Sequence, residues 1–461
     1  MPIPEQYRGR HIYHFTHIDN LPDILQHGLL SYNEKLRRGI QHISIAANSI
    51  QQRRAAMRVT VPPGGVVHDY VPFYFGSLSP MLLAVINKKN VDQYNIIFIG
   101  VSIDILEYEG TVFTNAAANA TTPPTFYVDL DDLDNLDWDN INSRSWGNPS
   151  EEAKRARMAE ALIQTRVNVS DFDHIIVWNQ SFRERVEVIY ADVDTVPPPI
   201  QYAPYRSRSF YYTNFYENGP NYSIITGPEN LLNEFRSAVA AVIDERNENT
   251  PSTPAFDNAE DAAGKIDDAF CVLPELETIN NLETANPEHR EGVGAHTRTV
   301  VAKLRNSDYC SNLPAHKRAL LLVAAYLHDI GKGQSPRDNG RQKTDNDHPA
   351  RAIPLVQRIL IEEFEEISEE DIRQILLLVA YHDLVGDIVG KDRDRDQLLE
   401  LVECEEDFDM LAALTCADVE SLIPEDAFAR MLSSATSWLR DIKAALSGLR
   451  EWVLENIEDD E

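Results

Sequence analysis

Apolar positions follow two different rhythms along this chain. Up to about residue 195 they come in short runs, "HIYHF", "NIIFIGVSI", "FDHIIVWN" and "RVEVIYADV", separated by pieces with helical spacing, "NLPDILQHGL" and "PSEEAKRARMAEALIQTR". Short β-like runs between helices predict an α+β domain. From about residue 285 the spacing is helical throughout, in "AHKRALLLVAAYLHDIG", "HPARAIPLVQRILIEEF", "SEEDIRQILLLVAYHDLV" and "DFDMLAALTCADVESLI", which predicts an all-α bundle. Residues 196–228, rich in Pro and Tyr, read as a wrapping tail or linker, and "NENTPSTPAFDNAED" near 247–261 as a second linker. The expected organisation is therefore multidomain: an α+β domain over 1–215, a linker with connecting helices over 216–284, and a helical domain over 285–461 that ends in an acidic tail.

One stretch breaks the first rhythm. "GVVHDYVPFYFGSLSPML", Gly65 to Leu82, crowds aromatics and prolines around His68 and Asp69. Pro72 has no N–H to give to a central ladder, so the reading is a turn that leads into an aromatic wall. Such a wall packs a core or stacks on a flat ligand ring, and core packing is the commoner role for any single ring. No other His or Asp accompanies His68-Asp69 at ligand spacing. Farther on, Asn115 to Trp146 is long, polar and Asp-rich, the profile of a functional or mobile loop.

Length and charge then limit the partners. A chain of 461 residues is too long for one core. Its net charge of −32 is uneven, about +4 over the first 100 residues and about −26 after residue 227. Bulk acidity excludes nonspecific nucleic-acid binding over the whole surface but leaves room for a basic face in the first hundred residues. No apolar run is long enough for a bilayer, and the start "MPIPEQYRGRHIYHF" has no apolar signal core, so a cytoplasmic protein without membrane partners is expected. The four cysteines are scattered without CxxC spacing and read as reduced thiols.

The helical half carries His296, His328-Asp329, His348, His382 and Asp418, each at an apolar helical stripe. A lone His on such a face is usually a satisfied core residue. Four with two aspartates make a metal site the better reading, and imidazole with carboxylate suits Mn, Fe, Ni, Zn or Mg. The order H…HD…H…H…D, with "HTRTV", "LHDIGK" and "CADVES", resembles the HD-domain metal-dependent phosphohydrolases over residues 285–430. The resemblance implies one metal on His296, His328, Asp329 and Asp418, and a second on His348 and His382 bridged by the aspartate. It also puts Lys332 on a phosphate oxygen. The bland counterpart is a degenerate sensor or dimer module.

In the first half, "HIYHFTHIDNLPDILQHGLL", "SIQQRRAAMRV", "PPGGVVHDYVPFYFGSLSPMLLAV" and "MAEALI" together resemble the DarT family of DNA ADP-ribosyltransferases over residues 8–215. That resemblance implies an ADP-ribosyltransferase-like fold, NAD as substrate and single-stranded DNA as acceptor, modified on thymine or guanine, in a toxin–antitoxin or anti-phage setting. A macrodomain antitoxin is the partner it allows. Residue by residue, His14, Phe15 and Thr16 resemble the family's NAD-holding residues, Arg54 its catalytic arginine, which also touches NAD, and Glu160 its catalytic glutamate. The segment from about Asn115 to Ala159 corresponds to the loop that presents DNA, with Trp138, Trp146 and Tyr127 available to stack a base and Arg37, Arg38, Arg53, Arg58, Lys154, Arg155 and Arg157 as cations. Without the resemblance, Glu160 reads as an exposed carboxylate on a helix. One departure stands out: where the family carries "FTD" followed by a histidine, this chain has "FTNAAANA", Phe113 to Ala120. The alternative function is an HD phosphohydrolase acting on nucleotides, with an inactive, ligand-sensing first half.

Overall fold

The run "IIFIGVS" forms a strand, Ile96–Ser102, whose first six residues are all buried, as expected of a strand covered on both faces. It lies inside an eight-stranded sheet. In chain order the strands are β1 (His11–His17), β2 (Tyr70–Tyr74), β3 (Ile96–Ser102), β4 (Thr111–Thr114), β5 (Phe126–Tyr127), β6 (Glu160–Gln164), β7 (Phe172–Val177) and β8 (Ile200–Tyr202). Across the sheet they run β8-β7-β3-β1-β2-β6-β4-β5. All neighbours are antiparallel except β8 and β7, so the sheet is mixed. The structure is a computed structural model that describes residues 2–45, 48–118, 122–143, 150–202, 210–213, 223–286 and 291–423, with residues 427 and 435. The acidic tail, Trp146 and parts of the presenting loop and the Tyr-rich segment lie outside the described residues.

Three local expectations change. The aromatic wall that follows the turn, despite Pro72, is the internal strand β2, Tyr70–Tyr74, between β1 and β6. Pro72 is tolerated there because the sheet splits at this point. β1 pairs with β3 along all seven residues, yet with β2 only at Tyr13 and Tyr74, so the missing N–H of Pro72 faces no ladder on the β1 side. The piece "PSEEAKRARMAEALIQTR" is helical only over Glu151–Ala156; Glu160–Gln164 is β6, paired to β2 and β4. Sheet pairing and burial override the helix propensity of Glu, Ala, Leu and Gln. Conversely, the alternating run "RVEVIYADV" forms the second half of the helix Gln180–Asp192 and its C-cap Val193; the helix is started by the Asn179 side chain and buried through Val186 and Tyr190, four residues apart.

The chain divides into two compact units, Met1–Gly227 and Pro228–Glu461. The residues read as connecting helices belong to the second unit: Leu231, Phe235 and Val242 of Pro228–Glu248, Ile266 of Ala259–Asp268 and Leu276 and Ile279 of Pro274–Asn280 all join its single core. Part of the Tyr-rich segment closes on the first unit, where Tyr211 Oη donates to the Ile96 carbonyl and Tyr212 Oη to that of Ser79. Among the described residues no helix is long and apolar enough to cross a membrane.

Candidate functional site

The split between β1 and β2 opens a cleft. His14, Phe15 and Thr16 of β1 face Pro72 and Tyr74 of β2 across it, and Arg54, from the helix Asn48–Ala56, closes the floor in a space of about 740 Å³ counted to open solvent. The carbonyl that Pro72 would otherwise offer to β1 instead accepts from His14 Nδ1 at 2.8 Å. Because a carbonyl can only accept, Nδ1 carries the hydrogen and Nε2 keeps a lone pair. Burial, with Lys35 and Arg54 nearby, lowers the His14 pKa to about 4, so the ring is neutral at pH 7.

Glu160 opens β6 opposite Tyr74 and is completely buried. Arg54 Nη1 lies 3.0 Å from both of its carboxylate oxygens. Thr114 fixes the strand end: its hydroxyl donates to the Ala116 carbonyl at 2.7 Å and accepts from the Glu160 N–H at 3.2 Å. Burial raises the Glu160 pKa against the opposing pull of Arg54. Arg54 Nη2 is buried without a hydrogen-bond partner. An orphaned donor of this kind costs about 1–3 kcal/mol, which a ligand in the cleft would offset. Glu160 does not itself line the cleft; Arg54 stands between it and the open space.

The expected residues His14, Phe15, Thr16 and Arg54 are thus brought to one cleft, with Glu160 held against Arg54 behind its lining. Of the expected DNA contacts, Arg37 and Arg38 bind Glu34, Lys154 binds Glu151, and Arg155 the Thr122 carbonyl. Trp138 stacks on Tyr7 with ring centres 4.9 Å apart and donates to the Leu133 carbonyl, and Tyr127 stacks on Phe113, so both rings serve packing here. His68-Asp69 is structural: Asp69 accepts from Asn33 and from the Val66 N–H, and His68 bonds Gln51. Sequence reasoning missed Thr114, Asn20 and Lys35. Asn20 donates to Thr16 and exchanges two bonds with the backbone of Ile43, pinning the cleft's outer wall. Its one sequence signal is the helix-start position before "LPDILQH".

The second unit gathers all six expected ligands. His328 and Asp329 follow the buried helix Ala315–Leu327, His296 comes from Val293–Arg305, His348 opens His348–Glu362, His382 follows Glu369–Ala380 and Asp418 lies on Glu405–Leu422. One ligand atom each of His296, His328 and Asp329 lies within 4.8 Å of the others, and the same holds for Asp329, His348 and His382. Asp418 Oδ1 is 2.8 Å from His296 Nε2. The tautomers are set from behind. Nδ1 of His328, His348 and His382 meets the carbonyls of Ala325, Asp345 and Val379, and Nδ1 of His296 meets the Ser421 hydroxyl, which itself donates to the Asp418 carbonyl. Every Nε2 lone pair therefore points inward, the orientation of a metal-binding imidazole.

Two features test the fit to a cation. Nε2 of His348 and of His382 face each other at 3.1 Å, where two lone pairs repel unless a proton or cation lies between them. His328 Nε2 and Asp329 Oδ1 are buried without hydrogen-bond partners. The donor set therefore fits divalent ions. Lys332, expected on a phosphate, has its Nζ 2.7 Å from Asp329 Oδ2. Asp383, missed by the sequence reading although it repeats the HD dipeptide, lies 3.4 Å from His382 Nε2 and 3.8 Å from that of His348. Gly331 is required by packing, since a Cβ there would sit 1.9 Å from the His348 carbonyl oxygen.

Residues 13–212 match the family described as "ssDNA thymidine ADP-ribosyltransferase, DarT". The chain is similar to a DNA ADP-ribosyl transferase of Thermus sp. (strain 2.9), 36% identical over 180 residues, which covers 38% of this chain and 84% of the relative. It is also similar to a DNA ADP-ribosyl transferase of Escherichia coli O127:H6, 33% identical over 186 residues, with 38% and 84% covered. Among solved structures it resembles Thermus sp. 2.9 DarT in complex with ADP-ribosylated ssDNA, at 33% identity and a TM-score of 0.40, covering 46% of this chain and 99% of that one.

Proposed function

This chain belongs, through residues 13–212, to the DarT family of single-stranded-DNA ADP-ribosyltransferases, and from that premise we propose that its first unit transfers ADP-ribose from NAD to a base, thymine before guanine, in single-stranded DNA. The observation that carries the proposal is the buried Arg54–Glu160 pair under a cleft lined by His14, Phe15 and Thr16, with Arg54 Nη2 left over as a donor.

The reaction breaks the bond between ribose C1′ and nicotinamide, whose electron pair leaves with the nicotinamide and discharges its ring. A base nitrogen then bonds C1′. The oxocarbenium-like transition state is stabilised by a carboxylate, the role proposed for Glu160. If the nitrogen is thymine N3, its proton must be accepted. Burial raises the Glu160 pKa and makes it the stronger base, whereas a guanidinium at neutral pH has no lone pair to offer. Arg54 holds Glu160 in place and offers Nη2 to the developing anion. His14, neutral and fixed by Pro72, offers Nε2 as an acceptor suited to an amide or hydroxyl of the substrate.

For the second unit we propose an HD-type metal-dependent phosphohydrolase. His296, His328, Asp329 and Asp418 would hold one ion and His348 and His382, with Asp329, a second. Divalent ions here would clamp a phosphate and supply an activated water. Lys332 and Asp383 orient and balance the charge of Asp329 and the histidine pair. A bacterial toxin–antitoxin or anti-phage setting, with a macrodomain partner, accords with the family reading.

Incubation of the full chain with NAD and single-stranded oligonucleotides, read by mass spectrometry, tests the first proposal. The expected result is a gain of one ADP-ribose that Glu160→Ala abolishes. NAD binding without any DNA modification would instead favour the reading of a sensing domain that serves the hydrolase, the reading to which Asn115 and the missing histidine point.

A further inference from the structure

The cleft has a second lobe. Beside the one described, a further space of about 400 Å³ runs outward past Asn20, Asp23, His27 and Gly28. The two lobes share four lining residues, His14, Thr16, Lys35 and His42, which therefore form the waist between them. Lys35 is the one member of that set that carries a charge at neutral pH. It lies on the helix Tyr32–Arg38, and its neighbour Glu34 is turned away, bound to Arg37 and Arg38. Among the described residues Lys35 Nζ has no hydrogen-bond or ion-pair partner, and the residue is half-buried. Burial without a counter-ion lowers its pKa to about 8.

A cation held at a waist, unpaired and partly desolvated, is unfavourable unless an anion joins it there. Arg54, in the inner lobe, gives Nη1 to Glu160 and keeps Nη2 for the reacting end of the ligand, so the waist needs a cation of its own. We propose that Lys35 forms an anion subsite at the waist of the cleft and takes the pyrophosphate that joins the two nucleoside halves of a dinucleotide. One half then occupies the inner lobe above Arg54 and the other the outer lobe beside Asn20. The proposal rests on the reading of the cleft as an NAD site and adds to it the residue that meets the ligand's charge.

Calorimetric titration of the full chain with NAD, ADP and adenosine tests it. The wild-type chain should bind ADP more tightly than adenosine. Lys35→Met should weaken NAD and ADP about ten- to a hundredfold, the worth of a charge-assisted contact, and leave adenosine unchanged, while Lys35→Arg restores part of the loss. The proposal is overturned if Lys35→Met binds ADP like wild type, or if it loses affinity for a single-stranded oligonucleotide and not for ADP, which would give the lysine to the DNA backbone. Failure of the wild-type chain to bind NAD at all would remove the NAD reading itself, a distinguishable result. Should Lys35→Met fold poorly, the wild-type chain still decides: its preference for ADP over adenosine should fall as pH rises from 7.5 to 9.5 through about 8. The other groups facing Lys35 are His14, His42 and His68, all lowered to about 4 by burial and so neutral in this window, with Arg54 on the inner side and Asp23 and His27 on the outer. A flat ADP preference across that window would overturn the proposal.

Discussion

At the residue scale, one hydroxyl sets where the carboxylate stands. Thr114 Oγ1 accepts from the Glu160 N–H and donates to Ala116, so the strand end that carries Glu160 is held by a side chain two strands of sequence away. Thr114→Val keeps the shape and removes the acceptor. Leaving that buried N–H unmet costs about 1–3 kcal/mol, and the expected result is a DNA-modification kcat lowered about tenfold or more with an unchanged NAD KM. Steady-state kinetics on an oligonucleotide would show it; an unaltered kcat would mean Thr114 does not position Glu160. Protonation is also a residue-scale matter. Burial lowers His14, His42 and His68 to about 4 from an ordinary 6.5. An unfolded chain takes up these protons below 6.5, whereas the folded one resists until near 4. The stability they contribute is therefore fully present above pH 6.5 and is lost as pH falls toward 4. Thermal melts between pH 7 and 4 should show the decline, and His68→Gln should flatten part of it.

Elements decide what residues can reach. β2 is an internal strand with a proline because β1 meets it at a single residue pair, and that same divergence is the cleft. In the second unit the turn after Asp329 passes so close to the helix His348–Glu362 that only glycine fits at position 331. Gly331→Ala must push turn and helix apart, which at overpacked sites costs about 1–3 kcal/mol and here would also part Asp329 from His348. The expected outcome is a lower melting temperature and reduced bound metal, with NAD binding by the first unit untouched. Equal metal content in the variant, measured by elemental analysis, would count against the packing argument.

Across the whole molecule, the two units have separate cores, and the two proposed sites fall one in each. A ligand that binds only one folded unit stabilises only that unit, by about 4 kcal/mol at a thousandfold excess over its Kd. Calorimetric scans should accordingly resolve a transition raised by Mn or Zn and lowered by EDTA, and another raised by NAD or ADP. His328→Ala should remove the metal response and leave the nucleotide response in place. Metal and nucleotide acting on the same transition would contradict the assignment of the six ligands to Pro228–Glu461.

The sequence by itself determined the two rhythms, the list of six metal-ligand candidates and the motifs around His14, Arg54 and Glu160, because each rests on residue types at fixed spacing. It misplaced what spacing cannot see. Val186 and Tyr190 lie four apart in a run that also alternates, and only the capped, half-buried helix settles their period. Glu160 sits in a helix-favouring run yet begins a strand, since its backbone is claimed by β2 and β4. The tertiary structure alone decided that Arg54 meets Glu160 across more than a hundred residues, that the split at Pro72 is an opening, and that Lys35 stands at a waist without a counter-ion among the described residues. Those are relations between distant segments, and the physical forces that fix them, burial and the pairing of buried charge, act only once the chain has closed on itself.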